Sequence, residues 1–146
     1  MIKKSKEIGF TISSEIGVGS LLKTLIASKP SAQALELGTG IGLSLSWMIE
    51  GLDKNSKIVT IDNDPNLINI AKSFFGDNPR IKLICEDGSA WITAYQGTPF
   101  DLIFADTWPG KYSDLETLIN HLKIGGIYVI DDTKPNPIGL TDIKRK

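Results

Sequence analysis

Carboxylates mark the places where this sequence could do chemistry. Glu36, Asp62, Asp87, Asp106 and Asp131 each close or follow a short apolar run, and Asp132 stands beside the last of them. After the first of these runs comes Gly38-Thr39-Gly40-Ile41-Gly42, a glycine-rich turn with no Lys or Arg in it. A phosphate-cradling loop of the G-x-x-x-x-G-K type needs its Lys, and none is present. A dinucleotide turn wants G-x-G-x-x-G, and the third glycine position is occupied by Leu43. A row of acids suits a cationic ligand or a metal ion instead, because opposite charges attract strongly in a partly buried crevice.

The acids can act together only if the intervening elements bring them to one edge. Short β-branched runs alternate with segments of helical period. The pattern predicts a helix over Val18 to Ser28 stopped by Pro30, a strand at 34–37, and a helix from Gly42 to Gly51. A strand at 57–62 follows, then a helix opened by Asp64-Pro65 and ended by Gly76. Strands at 81–85, 100–106 and 127–131 are separated by a short helix at 89–95 and by one that begins with a capping box at Ser113 to Glu116 and closes at Gly125-Gly126. Alternation of this kind gives right-handed βαβ units and a parallel sheet covered on both faces. The expected fold is α/β, a Rossmann-like doubly wound sheet of strand order 3-2-1-4-5, with a ligand crevice between strands one and four at the carboxyl edge.

Composition narrows the function classes. The 146 residues are 41% hydrophobic and 23% charged, which makes one folded domain rather than a disordered or fibrous chain. The single Cys85 excludes a disulfide framework and a Cys-based zinc site, and its strand position predicts a small packed residue. A net charge of −1 argues against a bulk electrostatic grip on nucleic acid. No run approaches the roughly 20 apolar residues of a membrane span, and the basic N-terminus lacks a signal-peptide core, so a cytoplasmic location is expected. The domain is expected over 1–132, with 133–146 an unpatterned tail.

A cationic ligand that uses such a crevice is S-adenosylmethionine, with its sulfonium, its ammonium and a ribose diol that Asp62 is placed to accept. The ordered motifs support it. Glu36-Leu37-Gly38-Thr39-Gly40-Ile41-Gly42 resembles the first motif of class I S-adenosylmethionine-dependent methyltransferases, Ile61-Asp62-Asn63-Asp64-Pro65 the second, and Asp87-Gly88-Ser89 the adenine-contacting turn. Phe104-Ala105-Asp106-Thr107-Trp108 and Gly126 to Asp132 are similar to the small-molecule O-methyltransferase branch that includes catechol and caffeoyl-coenzyme A enzymes. The resemblance implies cofactor contacts from Glu36, Gly38, Gly40, Ser44, Asp62, Asn63, Asp87, Gly88, Ser89, Asp106 and Trp108. It implies O-methylation of a small-molecule hydroxyl, and a divalent metal, Mg²⁺ or Ca²⁺, on Asp106, Asp131 and Asp132. The branch places a catalytic Lys three residues after the metal acid, where this chain has Pro109; Lys111 is the substitute, with Asp106 as its catalytic neighbour. The branch usually continues past strand five with a helix and a sheet-closing hairpin. Their lack predicts an open strand-five edge that pairs with a second copy or is covered by the tail.

Other readings of the same residues stay open. The turn could serve an NAD(P)-dependent oxidoreductase, and the chain could be a cofactor-binding module or incomplete enzyme without turnover. The three late acids could cap strands rather than hold metal. Trp108 is expected in the pocket, Trp91 either there or over the sheet edge, Trp47 in the core, and His121 at a helix C-terminus. Ser13 and Ser14 are a weaker hint of contact with the methionine carboxylate.

Overall fold

The computed structural model describes residues 16–131. Its elements are α1 (Ile16–Ala27), β1 (Gln33–Leu37), α2 (Leu43–Gly51), β2 (Lys57–Asp62), α3 (Pro65–Phe75), β3 (Ile81–Cys85), α4 (Gly88–Ala94), β4 (Phe100–Ala105), α5 (Leu115–Asn120) and β5 (Leu122–Ile130). The five strands run parallel in the order β3-β2-β1-β4-β5, as the alternation predicts. Ser13, Ser14, Asp132 and the 133–146 tail lie outside the described residues. Among the described residues no helix is long and apolar enough to cross a membrane.

Strand alternation sorts the apolar residues into two layers. Ala34, Ile58, Leu102 and Phe104 face one way and pack with Leu22 and Ile26 of α1 and Leu45 and Met48 of α2. Leu35, Leu37, Ile61, Ile103 and Ala105 face the other way, against Ile92 of α4 and Leu118 of α5. Trp47 is half-buried between helices: a Cβ on Gly19 of α1 would come within 2.5 Å of its ring. Asp64 caps α3 by accepting from the amides of Asn66 and Leu67, with Pro65 in the first turn, as expected.

Three local expectations fail. The capping box does not form: the residue before α5 is Asp114, in left-handed backbone at φ 62°, and its side chain makes no cap bond. Ser113 and Asp114 are occupied with each other, since the Ser113 hydroxyl donates to Asp114 Oδ2 at 2.8 Å. Gly125-Gly126 does not end the helix either, because α5 stops at His121 and the glycines fall inside β5. There the register jumps, with Phe100 opposite Leu122 but Leu102 opposite Ile127. The extra residues bulge outward at Ile124 and Gly125, whose φ of 79° glycine tolerates. Finally, Cys85 is exposed rather than packed, because β3 is an edge strand and the residue is its last.

Phe104, the largest fully buried side chain, anchors the layer beneath α1 and α2. Phe104→Ala should cost about 3–5 kcal/mol in urea unfolding, through lost burial and the cavity left behind.

Candidate functional site

The chain leaves β1 through backbone that only glycine adopts freely. Gly38, Gly40 and Gly42 have φ of 101°, 54° and 97°. At Gly38 the approach is also close: a Cβ would lie 2.5 Å from Thr107 Cγ2 and 3.3 Å from the Asp106 carbonyl carbon. The turn is fastened to the end of β2. The amides of Gly38 and Thr39 donate to the Ile61 carbonyl at 2.8 and 3.2 Å, and the Gly40 amide donates to Asp62 Oδ2 at 2.9 Å. Asp62 Oδ1 accepts from the Asp64 amide at 3.0 Å. Two backbone donors therefore fix the Asp62 carboxylate, and each oxygen keeps further acceptor capacity.

Beside the turn opens a cleft of about 290 Å³. Asp62, Asn63, Glu86, Asp87, Gly88, Ser89, Thr107, Trp108 and Pro109 line it, over Leu37 and Ile61. It lies at the carboxyl ends of the strands, where the order reverses between β1 and β4, the usual ligand position in such sheets. Asp87 caps α4 through the Ala90 amide at 2.9 Å. Ser89 donates to Asp114 Oδ2 at 2.6 Å. Trp108 is 69% exposed at the rim, its ring 4.8 Å from that of Tyr112.

Six of the expected cofactor residues thus share one cleft: Asp62, Asn63, Asp87, Gly88, Ser89 and Trp108. Glu36, Gly38, Gly40, Ser44 and Asp106 are outside its lining, the glycines forming the adjoining turn and Ser44 lying buried in the first turn of α2. Trp91 resolves to sheet cover, stacked on Tyr95 at 4.6 Å in the layer with Phe100. His121 caps the C-terminus of α5, and its Nε2 donates to the Ile92 carbonyl at 3.1 Å.

Two ionisable features sit at the same edge. Glu36 is fully buried between Thr60 and Phe104 in the sheet register. Its Oε2 accepts from Thr60 at 2.6 Å, Thr60 is bonded to Thr39 of the turn at 2.6 Å, and Oε1 has no partner among the described residues. Burial pushes the Glu36 carboxyl up to about 8; Asp106 and Asp62 push in the same direction, and the Thr60 bond opposes them. Nearby, Lys111 Nζ lies 3.9 Å from Asp106 Oδ1, with the two side chains only 9% and 13% exposed. Asp131 follows β5, and its amide donates to the Ala105 carbonyl at 3.2 Å, which places it beside Asp106 across the β4–β5 ladder. Among the described residues no three His, Cys, Asp or Glu side chains converge as a metal site.

The motifs missed the Thr39–Thr60–Glu36 chain and the Ser89–Asp114 bond. The first could have been sought in the alternation, which puts Glu36 and Thr60 on the same face of adjacent strands. No sequence signal points to the second.

Comparison with known proteins identifies the family and agrees with the fold. A sequence profile described as O-methyltransferase matches residues 3–137, and the chain belongs to that family. A curated relative from Mycobacterium ulcerans, which carries the provisional name O-methyltransferase, is 30% identical over 118 residues, covering 77% of this chain and 53% of the relative. The chain spans about half the length of the curated relatives it matches. The crystal structure of an O-methyltransferase from Bacillus cereus in complex with S-adenosylhomocysteine shares the fold. Its TM-score is 0.81 at 20% identity, over 99% of this chain and 73% of that one. The S-adenosylhomocysteine-bound methyltransferase PaMTH1 of Podospora anserina is 28% identical, with a TM-score of 0.71 over 82% of this chain and 53% of its own.

The buried Glu36 makes stability depend on pH. Its folded carboxyl holds a proton up to about 8, while the unfolded one loses it near 4.5. The contribution is fully present below 4.5 and is lost as pH rises from there to about 8. Stability against urea should fall by about a few kcal/mol across that window in the unmodified chain, whereas Glu36→Gln should remove most of the slope.

Proposed function

We propose that the chain binds S-adenosylmethionine in this cleft and transfers its methyl group to a hydroxyl oxygen of a small molecule. The observation that carries the reading is Asp62: a carboxylate fixed by the Gly40 and Asp64 amides, with lone pairs to spare, at the carboxyl end of β2 in the cleft wall. Such a group suits the ribose diol. Asn63, Asp87, Gly88, Ser89 and Trp108 would receive the adenosine end. The Gly38 and Gly40 backbone, with Ser44 beyond it, would face the methionine end. Glu36 would support that turn from behind through Thr60 and Thr39.

When bound, S-adenosylmethionine supplies an electrophilic methyl group on a sulfonium. The chain itself supplies position and electrostatics. Lys111, held in a largely buried ion pair, brings positive charge to the end of β4 and would lower the pKa of an acceptor hydroxyl placed there. Asp106 would orient that hydroxyl. Asp106 and Asp131, adjacent across the β4–β5 ladder, would together with Asp132 hold a Mg²⁺ or Ca²⁺ ion. An all-oxygen donor set fits such hard cations, and the bound charge would favour the ionised acceptor.

Calorimetry with S-adenosylhomocysteine should show saturable binding, and Asp62→Ala should weaken it at least tenfold, roughly the loss of one charge-assisted contact. Lys111→Met should leave that affinity within about twofold and lower kcat on a responsive phenol or catechol by about 10² or more. Absence of heat at millimolar ligand in folded protein would refute the reading. Binding of NAD instead would point to the oxidoreductase. Tight binding with no methylation of catechols, phenols or acyl-coenzyme A thioesters would leave a binding module.

A further inference from the structure

We propose that Asp114 is a positioning residue that commits the Ser89 hydroxyl proton away from the cleft, so that the cleft selects a ligand carrying a hydrogen-bond donor at that point. The inference rests on the reading of the cleft as an adenosyl site and adds what discriminates within it.

Asp114 gives up its ordinary local role. A residue before a helix usually accepts from that helix's own amides, and Asp114 does not. It holds left-handed backbone, φ 62° and ψ 14°, one of two non-glycine residues with positive φ among those described. In that conformation its carboxylate accepts from Ser113 Oγ at 2.8 Å and, across to α4, from Ser89 Oγ at 2.6 Å. Backbone strain of this kind persists only where the surroundings fix it. Here they do. Gly110, buried at φ 86°, receives the Tyr128 hydroxyl on its carbonyl, and its amide donates to the Ser113 carbonyl at 2.8 Å. A Cβ on Gly110 would lie 2.7 Å from Leu37 Cδ1 and 2.9 Å from Leu118 Cδ1, so the loop from Asp106 to Asp114 is seated on the core.

The chemical consequence follows from donor counting. An ionised carboxylate only accepts, and a serine hydroxyl has one proton. With that proton committed to Asp114, Ser89 Oγ has only lone pairs left, and Ser89 lines the cleft. A ligand atom meeting it there must donate. The exocyclic amino group of adenine does; the oxo group of a 6-oxopurine would oppose lone pair to lone pair. Ser89 is half-buried, and the mismatch of two lone pairs at that point is what separates the two ligands.

The test is the ratio of affinities for S-adenosylhomocysteine and S-inosylhomocysteine, measured by calorimetry on the full chain. The unmodified protein should prefer the adenosyl ligand by about tenfold or more, the worth of one well-placed hydrogen bond. Asp114→Gly accepts the left-handed backbone without strain and should bring the ratio close to one. Asp114→Asn keeps an acceptor oxygen and should restore most of the preference. Ser89→Ala should lose the preference by itself, and adding Asp114→Gly to it should change nothing further. Ser89→Ala and Asp114→Asn carry the test if Asp114→Gly fails to fold, as melting without ligand will report. A chain that binds S-adenosylhomocysteine but keeps its ratio in Asp114→Gly or Ser89→Ala overturns this proposal alone. A chain that binds neither ligand overturns the methyltransferase reading and this proposal with it.

Discussion

The structure depends on how tightly the chain can turn as it leaves β1. The side chain of Thr107 and the backbone of Asp106 stand where a Cβ on Gly38 would project, so the exit must be glycine with positive φ. Once that turn is made, the Gly38 and Thr39 amides reach the Ile61 carbonyl and the Gly40 amide reaches Asp62. The same contacts that satisfy the turn also aim the Asp62 carboxylate along the carboxyl edge. Fold and site are therefore one set of interactions here: loosening the turn would release the acid, and moving the acid would leave a turn amide without its partner.

Electrostatics at this edge are arranged in depth. Nearest the core, Glu36 sits in an apolar layer, where desolvation drives its carboxyl toward the neutral form, and it reaches the turn through Thr60 and Thr39. Further out, Asp106 faces Lys111 in a mostly buried pair, so positive charge is stationed at the end of β4. At the cleft, Asp62 and Asp87 hold backbone amides with part of their acceptor capacity. Acids that would repel one another if all were buried and charged are separated by protonation, pairing and amide bonds. An edge of this kind attracts a ligand with positive charge and hydroxyl donors rather than a pyrophosphate.

Much of this was legible from residue order. Strand order, crossover point and the cleft acids followed from β-branched runs, the glycine turn and the Asp64-Pro65 helix start, all local features with one physical meaning. The failures came where local chemistry had two outlets. Ser113 and Asp114 can cap a helix, but Ser89 on another element offered Asp114 a competing hydroxyl. Gly125-Gly126 can end a helix, but β5 used the flexibility for a bulge against β4. Cys85 looked buried because its strand is apolar, and only the sheet order shows that the strand is an edge. Trp91, for which pocket and sheet cover were equally open, was decided by Tyr95 and Phe100, partners set by tertiary packing.

On the proposed reading, the glycine turn and the Asp62 cleft form one site for an adenosyl ligand. Backbone amide NMR of the isotopically labelled chain, titrated with S-adenosylhomocysteine, tests it residue by residue. Saturating shifts are expected at Gly38 to Gly42, Asp62 to Asp64, Asp87 to Ser89 and Thr107 to Trp108, with the far ends of the strands unmoved. Shifts confined to other surfaces, or none at millimolar ligand, would contradict it.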